Sequence, residues 1–338
     1  MTVALVTGAS GFIGHHVARH LADRGWAVRA LVRPQSLPDV RWPASAEAVA
    51  GDILDRDAVV RAAAGCDAIF HVAAHYSLAR HRAALVERTN VDGTANAIAA
   101  ARAHGARLVH TSSVATVGIP EDGTPGDEDT PLDPAIVIGA YKRSKLTSER
   151  MVLQAAREGL WATVVNPSAP VGPGDWKPTP TGRIVRDFLR GRLRAYVDTG
   201  LNVVDVRDVA AGHLLALERG RPGRRYILGN RDMTLREILA ELAAVSGRPA
   251  PTRRVPHAVA IGVAAISETV EGRLLRREPF VPLDGALMAR KRMFFSPRRA
   301  IEELGLPQSP VTEALRAAVE WWSDPSAGAH GAPIGAPG

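Results

Sequence analysis

The chain begins with an unbroken apolar run, Val3 to Thr7, that stops at Gly8. From Phe12 the period changes. Ile13, Val17 and Leu21 recur at a spacing of four, which predicts a helix with one apolar face running to about Arg24. Gly25 closes it and Ala27 to Val32 forms a second apolar run. Strand, glycine turn, helix, strand is one βαβ unit. Further strands are expected at Ala46 to Ala50, Ala68 to Val72 and Arg107 to Thr111, and a helix from Tyr141 to about Glu158. Strands alternating with helices predict an α/β fold: a doubly wound parallel sheet with helices on both faces. Between Asn166 and about Asn202 the pattern dissolves into a loop-rich stretch punctuated by Pro167, Pro170, Pro173, Pro178 and Pro180. Val203 to Val206 reads as a strand and Val209 to Leu217 as a helix, and a smaller helix-rich portion starts at about Thr234.

The glycines after the first strand are Gly8, Gly11 and Gly14, spaced GxxGxxG. A helix N-terminus offers unpaired N–H groups and the positive end of a dipole, and a turn without side chains lets a pyrophosphate approach them. In a strand–turn–helix context this predicts a Rossmann dinucleotide site. The second strand ends in Val32-Arg33-Pro34, with no acid to accept from the ribose hydroxyls of NAD. Arg33 is placed to clamp a 2′-phosphate, so NADP is favoured over NAD. Asp52, in Gly51-Asp52-Ile53-Leu54, reads either as an acceptor for adenine or as the cap of the helix starting near Asp55. Ala73 and Ala74 after the fourth strand are small enough to let the backbone approach a cofactor.

Ser112 and Ser113 follow the strand ending at Thr111. Tyr141 and Lys145 are four apart and share a helix face. There the lysine charge favours the tyrosinate, lowering the tyrosine pKa, and the ammonium can hold a ribose hydroxyl. A serine hydroxyl orients a carbonyl or alcohol, while the hydride belongs to a nicotinamide.

In order along the chain, Gly8-x-x-Gly11-x-x-Gly14, Gly51-Asp52, His71-Val72-Ala73-Ala74, Asn90-Val91-x-Gly93-Thr94, Thr111-Ser112-Ser113, Tyr141-x-x-x-Lys145, Asn166-Pro167-Ser168 and Asp205-Val206-Arg207-Asp208 resemble the extended short-chain dehydrogenases. Within them the chain is similar to the dihydroflavonol-reductase-like branch, and most to the hopanoid-associated sugar epimerases, through the runs Lys177 to Arg183 and Tyr196 to Asn202. The resemblance implies Tyr141 as general acid/base, Lys145 as its electrostatic partner and Ser113 as the catalytic serine. It implies a cofactor held by Gly8, Ser10, Gly11, Phe12, Ile13, Gly14, Arg33, Asp52, Ile53, Val72, Ala73, Ala74, Thr111, Pro167 and Ser168, together with Tyr141 and Lys145. His75 and Tyr76 would join Ser113 on the substrate side. The chain departs from nucleotide-sugar epimerases at two positions: Leu201 stands where an arginine binds the sugar nucleotide's phosphates, and Ala169 where an asparagine is typical. A nucleotide diphosphate would lack partners. A lipid-linked sugar or a smaller carbonyl compound remains, with net carbonyl reduction as the alternative to epimerisation. A non-catalytic regulator would be expected to lose Tyr141 or Lys145, and both are present. The resemblance also implies a homodimer through the helices around Asn90 to Ala103 and Tyr141 to Glu158.

On this reading residues 1–165 plus 203–230 form the Rossmann domain, 166–202 plus 231–322 a mostly helical substrate-binding portion, and 323–338 a disordered tail rich in Gly, Ala and Pro. One cysteine, Cys66, excludes an internal disulfide and, with no apolar run of membrane-spanning length and no secretory leader, suggests a cytoplasmic protein. The formal charge is +7, with the arginines scattered rather than striped, so nucleic acid is not the expected partner. His257 to Ile266, followed by Arg273, Arg276 and Arg277, reads as a core helix, a lid or an interfacial helix making peripheral membrane contact. The eleven histidines form no ligand cluster, so no metal is expected, and His15-His16 reads as surface.

Overall fold

The computed structural model describes residues 1–34, 46–134, 137–274 and 283–324. The tail beyond Asp324, and Arg276 and Arg277, lie outside them. A seven-stranded sheet contains β1 (Val3–Thr7), β2 (Ala27–Val32), β3 (Ala46–Ala50), β4 (Ala68–His71), β5 (Arg107–Thr111), β6 (Ala162–Pro167) and β10 (Arg225–Leu228), in the order β10-β6-β5-β4-β1-β2-β3. Every pairing in it is parallel. Consecutive strand residues face opposite sides, and both sides are covered. Val6, Phe70, Val109 and Val165 pack with α1 (Phe12–Asp23) and α6 (Val206–Glu218). Leu5, Ile69, Leu108 and Val164 pack on the other face with α2 (Arg56–Ala62), α3 (Ala83–His104) and α4 (Ala140–Arg157).

The hydrophobic pattern does not announce β6 or β10. The first ends in Asn166-Pro167, where the sequence already looks like loop, and the second is only four residues long. The stretch after β6 is more ordered than its prolines suggest. It holds β7 (Ala169–Val171), α5 (Pro180–Leu189), β8 (Ala195–Tyr196) and β9 (Gly200–Asp205). The strand expected at Val203 to Val206 is the end of β9, which pairs with β7 and with β11 (Arg231–Thr234) rather than with the central sheet. Around this small sheet α5, α7 (Leu235–Ser246) and α10 (Val311–Ser323) close a second apolar core through Val185, Phe188, Leu239 and Leu315. β12 (Arg253–Arg254) pairs with β8 and leads into α8 (His257–Ser267), which packs on α9 (Leu283–Met288).

Between α4 and the sheet edge lies a buried charged cluster. Glu149, 2% exposed, accepts hydrogen bonds from Arg225 (2.8 Å), Thr116 Oγ1 (2.7 Å) and Asn166 Nδ2 (2.8 Å). Arg225 also donates to the Glu128 carbonyl (2.9 Å). Removing one partner of a buried ion pair leaves the other desolvated and uncompensated. Glu149→Ala is therefore expected to cost about 3 kcal/mol in denaturant unfolding, and the double replacement of Glu149 and Arg225 by leucine to recover part of it.

Candidate active site

Parallel strands β1, β4, β5 and β6 end along one edge, and the predicted residues gather there. Gly8, at φ +71°, sits in a backbone conformation that L side chains rarely adopt, and a Cβ on it would lie 2.6 Å from the Ala73 backbone. A Cβ on Gly14 would lie 2.2 Å from the Gly8 carbonyl oxygen. Gly11 begins α1 with no side-chain cap and no acid in the first turn, so the N–H groups and positive dipole end stay available. Thr7 Oγ1 is hydrogen-bonded to His71 Nδ1 (2.8 Å) and accepts from the Ala73 amide (3.2 Å), which fixes Val72–Ala74 beside the glycine turn. A cradle that side chains would fill, facing uncapped amides, fits a dinucleotide pyrophosphate.

Asp52 Oδ1 accepts from the Leu54 amide (2.9 Å), while Asp55 caps α2 through the Ala58 amide (3.0 Å); Asp52 is not that helix's cap. Asn96 holds the Ile53 carbonyl (2.8 Å) and Ile53 packs against Gly93. Arg33 is exposed just past β2. His15 and His16 are not surface residues. Both are half-buried, His15 edge-on to Trp176 (5.2 Å between centroids) and His16 bonded to the Pro173 carbonyl (2.9 Å), and burial lowers both pKa values, His15 to about 4. Trp176 donates to the Ser10 carbonyl (3.2 Å), so the segment after β7 closes over the glycine turn.

Ser113 follows β5 and starts a short 3-10 turn, its Oγ accepting from the Ala115 amide (3.1 Å). Its hydroxyl lies close enough to the Tyr141 side chain to oppose the rise that burial imposes on the phenol's pKa. The Tyr76 ring meets the Tyr141 ring edge-on, 4.6 Å between centroids. His75 is tied through its backbone: its amide donates to Asn90 Oδ1 (2.7 Å) and its carbonyl accepts from Asn90 Nδ2 (3.2 Å). Asn90 Nδ2 also donates to Ser144 Oγ (2.9 Å), which locks the loop after β4 to the first turn of α4. Lys145 is buried, and its ammonium donates to the Thr111 carbonyl (2.8 Å). Asn166 donates to the Ser113 carbonyl (3.1 Å) and to Glu149, so the charged cluster anchors the serine turn. Just past β6, the Ser168 amide donates to the carbonyl of Leu228, the last residue of β10 (3.1 Å). Thus Ser113, Tyr141, Tyr76 and Lys145 come together beside the glycine cradle, while Arg33, Asp52 and Ile53 lie along its β2–β3 side. Asn90 and Asn166 stand in the motifs of the resemblance without a role, and Glu149 and Trp176 in none, because their partners are far away in sequence.

The electrostatics differ from the expectation that Lys145 lowers the Tyr141 pKa. Burial pushes Tyr141 up to about 12, opposed by the Ser113 hydroxyl. Burial also lowers Lys145 to about 8, opposed by Glu149. His71, stacked on His110 at 5.3 Å, is lowered by burial to about 3, and His110 falls well below the ordinary histidine value for the same reason. Neither imidazole carries charge near neutral pH, which leaves Lys145 as the cation of this layer. Among the described residues no cluster of metal ligands occurs.

A parallel sheet with a glycine cradle and a buried Tyr–Lys–Ser group defines a nicotinamide-dependent short-chain oxidoreductase. The model of the NAD dependent epimerase/dehydratase family matches residues 4–229, and the chain belongs to that family. It is 46% identical over 324 residues to a putative dihydroflavonol 4-reductase of Synechocystis, covering 94% of each chain. It is 35% identical to sterol demethylase protein B of Methylococcus capsulatus, covering 95% of this chain and 98% of the other. Among solved structures it resembles a nucleoside-diphosphate-sugar epimerase of Pseudomonas aeruginosa, with TM-score 0.77, 27% identity and coverage of 95% and 97%.

Tyr141→Phe is expected to lower turnover about 100- to 10,000-fold while cofactor affinity, measured by titration, stays within twofold of wild type. Unchanged turnover would overturn the assignment. Because Lys145 loses its proton as pH rises through about 8, kcat/KM for carbonyl reduction should fall above that pH. A limb between pH 5 and 7 from His71 or His110 is not expected, since both are already neutral there.

Proposed function

We propose that the protein moves a hydride at a secondary alcohol or ketone borne by an apolar, non-nucleotide molecule. The observation that carries this reading is the Ser113–Tyr141 hydroxyl pair, with the Lys145 ammonium nearby, beside a cradle open to a pyrophosphate. The nicotinamide, when bound, supplies or accepts the hydride. Tyr141 gives its proton to the carbonyl oxygen in reduction and takes it back in oxidation. Ser113 orients that oxygen. Lys145 has three donors and uses one on Thr111, so the others can hold a ribose hydroxyl and favour the developing tyrosinate. Gly8, Ser10, Gly11, Phe12, Ile13 and Gly14 would face the pyrophosphate, Asp52 and Ile53 the adenine, and Val72–Ala74, Thr111, Pro167 and Ser168 the nicotinamide side.

The substrate class is argued from Leu201. It packs into the second apolar core and bridges to Met293, so the position offers a diphosphate no charge. The relatives named for dihydroflavonol and sterol chemistry support the same direction. A second reading, epimerisation of a lipid-linked sugar as in the hopanoid-associated epimerases, is favoured by the runs at Lys177 to Arg183 and Tyr196 to Asn202 and by the sugar-epimerase neighbour. Arg33, exposed with no acid at the end of β2, supports NADP over NAD. A homodimer through the outer faces of α3 and α4, and a cytoplasmic location, complete the proposal; among the described residues no helix is long and apolar enough to cross a membrane.

Mass spectrometry of nucleotide released from the purified protein, with NADPH and NADH titrations, separates the readings. Exchangeable NADPH supports net reduction, whereas retained, non-exchanging NAD supports epimerisation. Binding of neither rejects both. Arg33→Ala should raise the KM for NADPH at least tenfold and leave that for NADH nearly unchanged, a loss of the order of one charge-assisted contact.

A further inference from the structure

α8 presents an apolar face to solvent. Val259 is 54% exposed, Val263 51% and Ile266 67%, and Val270, in the helical continuation Glu268–Leu274, is 44% exposed. These positions, spaced four, three and four apart, line one side of the helix, with exposed Ala258 and Gly262 beside them. From His257 to Ser267 the helix carries no acidic or strongly basic side chain. The acids that follow turn away from this face: Glu268 is buried, and Glu271 accepts a hydrogen bond from Ser267. Scattered exposed apolar residues need no explanation, but a contiguous stripe does.

Positive charge flanks both ends of the stripe. Arg253 and Arg254 of β12 are exposed just before the helix, Arg254 paired with Asp198 (2.9 Å) and Arg253 carrying the charge at that end. The turn Arg80–Arg82, with Arg80, His81 and Arg82 all exposed, packs against the Glu268–Leu274 continuation. The formal charge of the chain is +7. An apolar helix face between basic clusters has the composition of an element that lies in the plane of an anionic bilayer, with its apolar side among the acyl chains and its arginines at the headgroups.

The face is also coupled to the site. α8 packs on α9 and bonds to it through His257, which donates to the Ala289 carbonyl (3.1 Å). Asp284 of α9 reaches Arg80 (3.3 Å) and lies against Gly139, two residues before Tyr141. We propose that the exposed face of α8 docks the protein on an anionic lipid bilayer, beside the mouth of the Tyr141 site. This extends the proposed function by naming where an apolar substrate is met.

The test is co-sedimentation of the full chain with vesicles of phosphatidylglycerol and phosphatidylcholine, and with phosphatidylcholine alone. Wild type should pellet with the anionic vesicles. Val263→Glu combined with Ile266→Glu should bind at least tenfold more weakly, and Arg253→Glu with Arg82→Glu should also bind more weakly. Val263→Ser with Ile266→Ser, milder changes at exposed positions, should reproduce the loss while unfolding at the same temperature as wild type. A wild type that stays in solution, or variants that pellet like wild type, would overturn the proposal. So would a fall in oligomeric mass on substitution, which would make this face a contact between copies of the chain. The assay contains no cofactor or substrate, so its outcome is independent of the hydride-transfer reading, which the nucleotide titrations test separately.

Discussion

The turn between β1 and α1 meets the exit of β4 backbone against backbone, with Gly8 against Ala73 and Gly14 against Gly8. The contact is closer than any side chain allows, and its consequences reach along the sheet edge. It brings the first turn of α1 over the strand ends with its amides free, and it fixes the loop after β4. That loop carries His75 and Tyr76, and Asn90 ties it to Ser144 on the first turn of α4. Tyr141 begins that same turn, so the distance from the pyrophosphate cradle to the phenol is set by a chain of short contacts across three elements. Ser113 enters from β5 and is held from behind by Asn166.

Burial makes this arrangement electrostatically demanding. His71 and His110 meet the demand by staying neutral, so they pack as polar but uncharged groups against Lys145. Lys145 instead keeps an ionisable ammonium in the same buried layer. Its lowered pKa shows the cost of holding a charge there, and Glu149 opposes that cost. Glu149 is itself compensated by Arg225, which reaches it from β10 at the far edge of the sheet. A four-residue edge strand that buries Tyr226, Ile227 and Leu228 in the core thus also carries the counter-charge for Glu149. This gives β10 a reason to end the sheet with arginine at its first position.

These couplings explain what sequence could and could not reveal. Periodicity exposed β1, α1 and β2, because local spacing dictates them. The Tyr141–Lys145 pair was legible because four residues on a helix is itself a geometric statement. Asn90 and Asn166 stood in the motifs of the resemblance without a role, and Glu149 in none, because an amide or carboxylate gains its role only from partners brought in by the sheet order. His15 and His16 looked superficial because nothing in the first helix shows that Trp176 folds over it. β6 was obscured by the same Asn-Pro pair that ends it at the site. The local rule failed there because a proline at the strand end removes a backbone donor, a pattern that reads as loop.

Leu201 and α8 carry the remaining step. Leu201 is packed against an apolar core, and on the proposed reading recognition there rests on apolar area rather than charge. A molecule recognised mainly by apolar area has little free concentration in water, because each buried CH₂ group favours the lipid phase by about 0.8 kcal/mol. An enzyme for such a molecule gains little from a tighter pocket if encounter occurs through solution, and gains more by placing its entrance where the molecule already resides. An apolar helix flanked by arginine and packed, through α9, against the turn that starts the Tyr141 helix is consistent with that solution. The same reasoning relates the two proposed chemistries: a ketone on a lipid-like ring and a sugar on a lipid anchor would both reach Tyr141 from the bilayer side, and they would differ only in whether the hydride returns to the carbon it left.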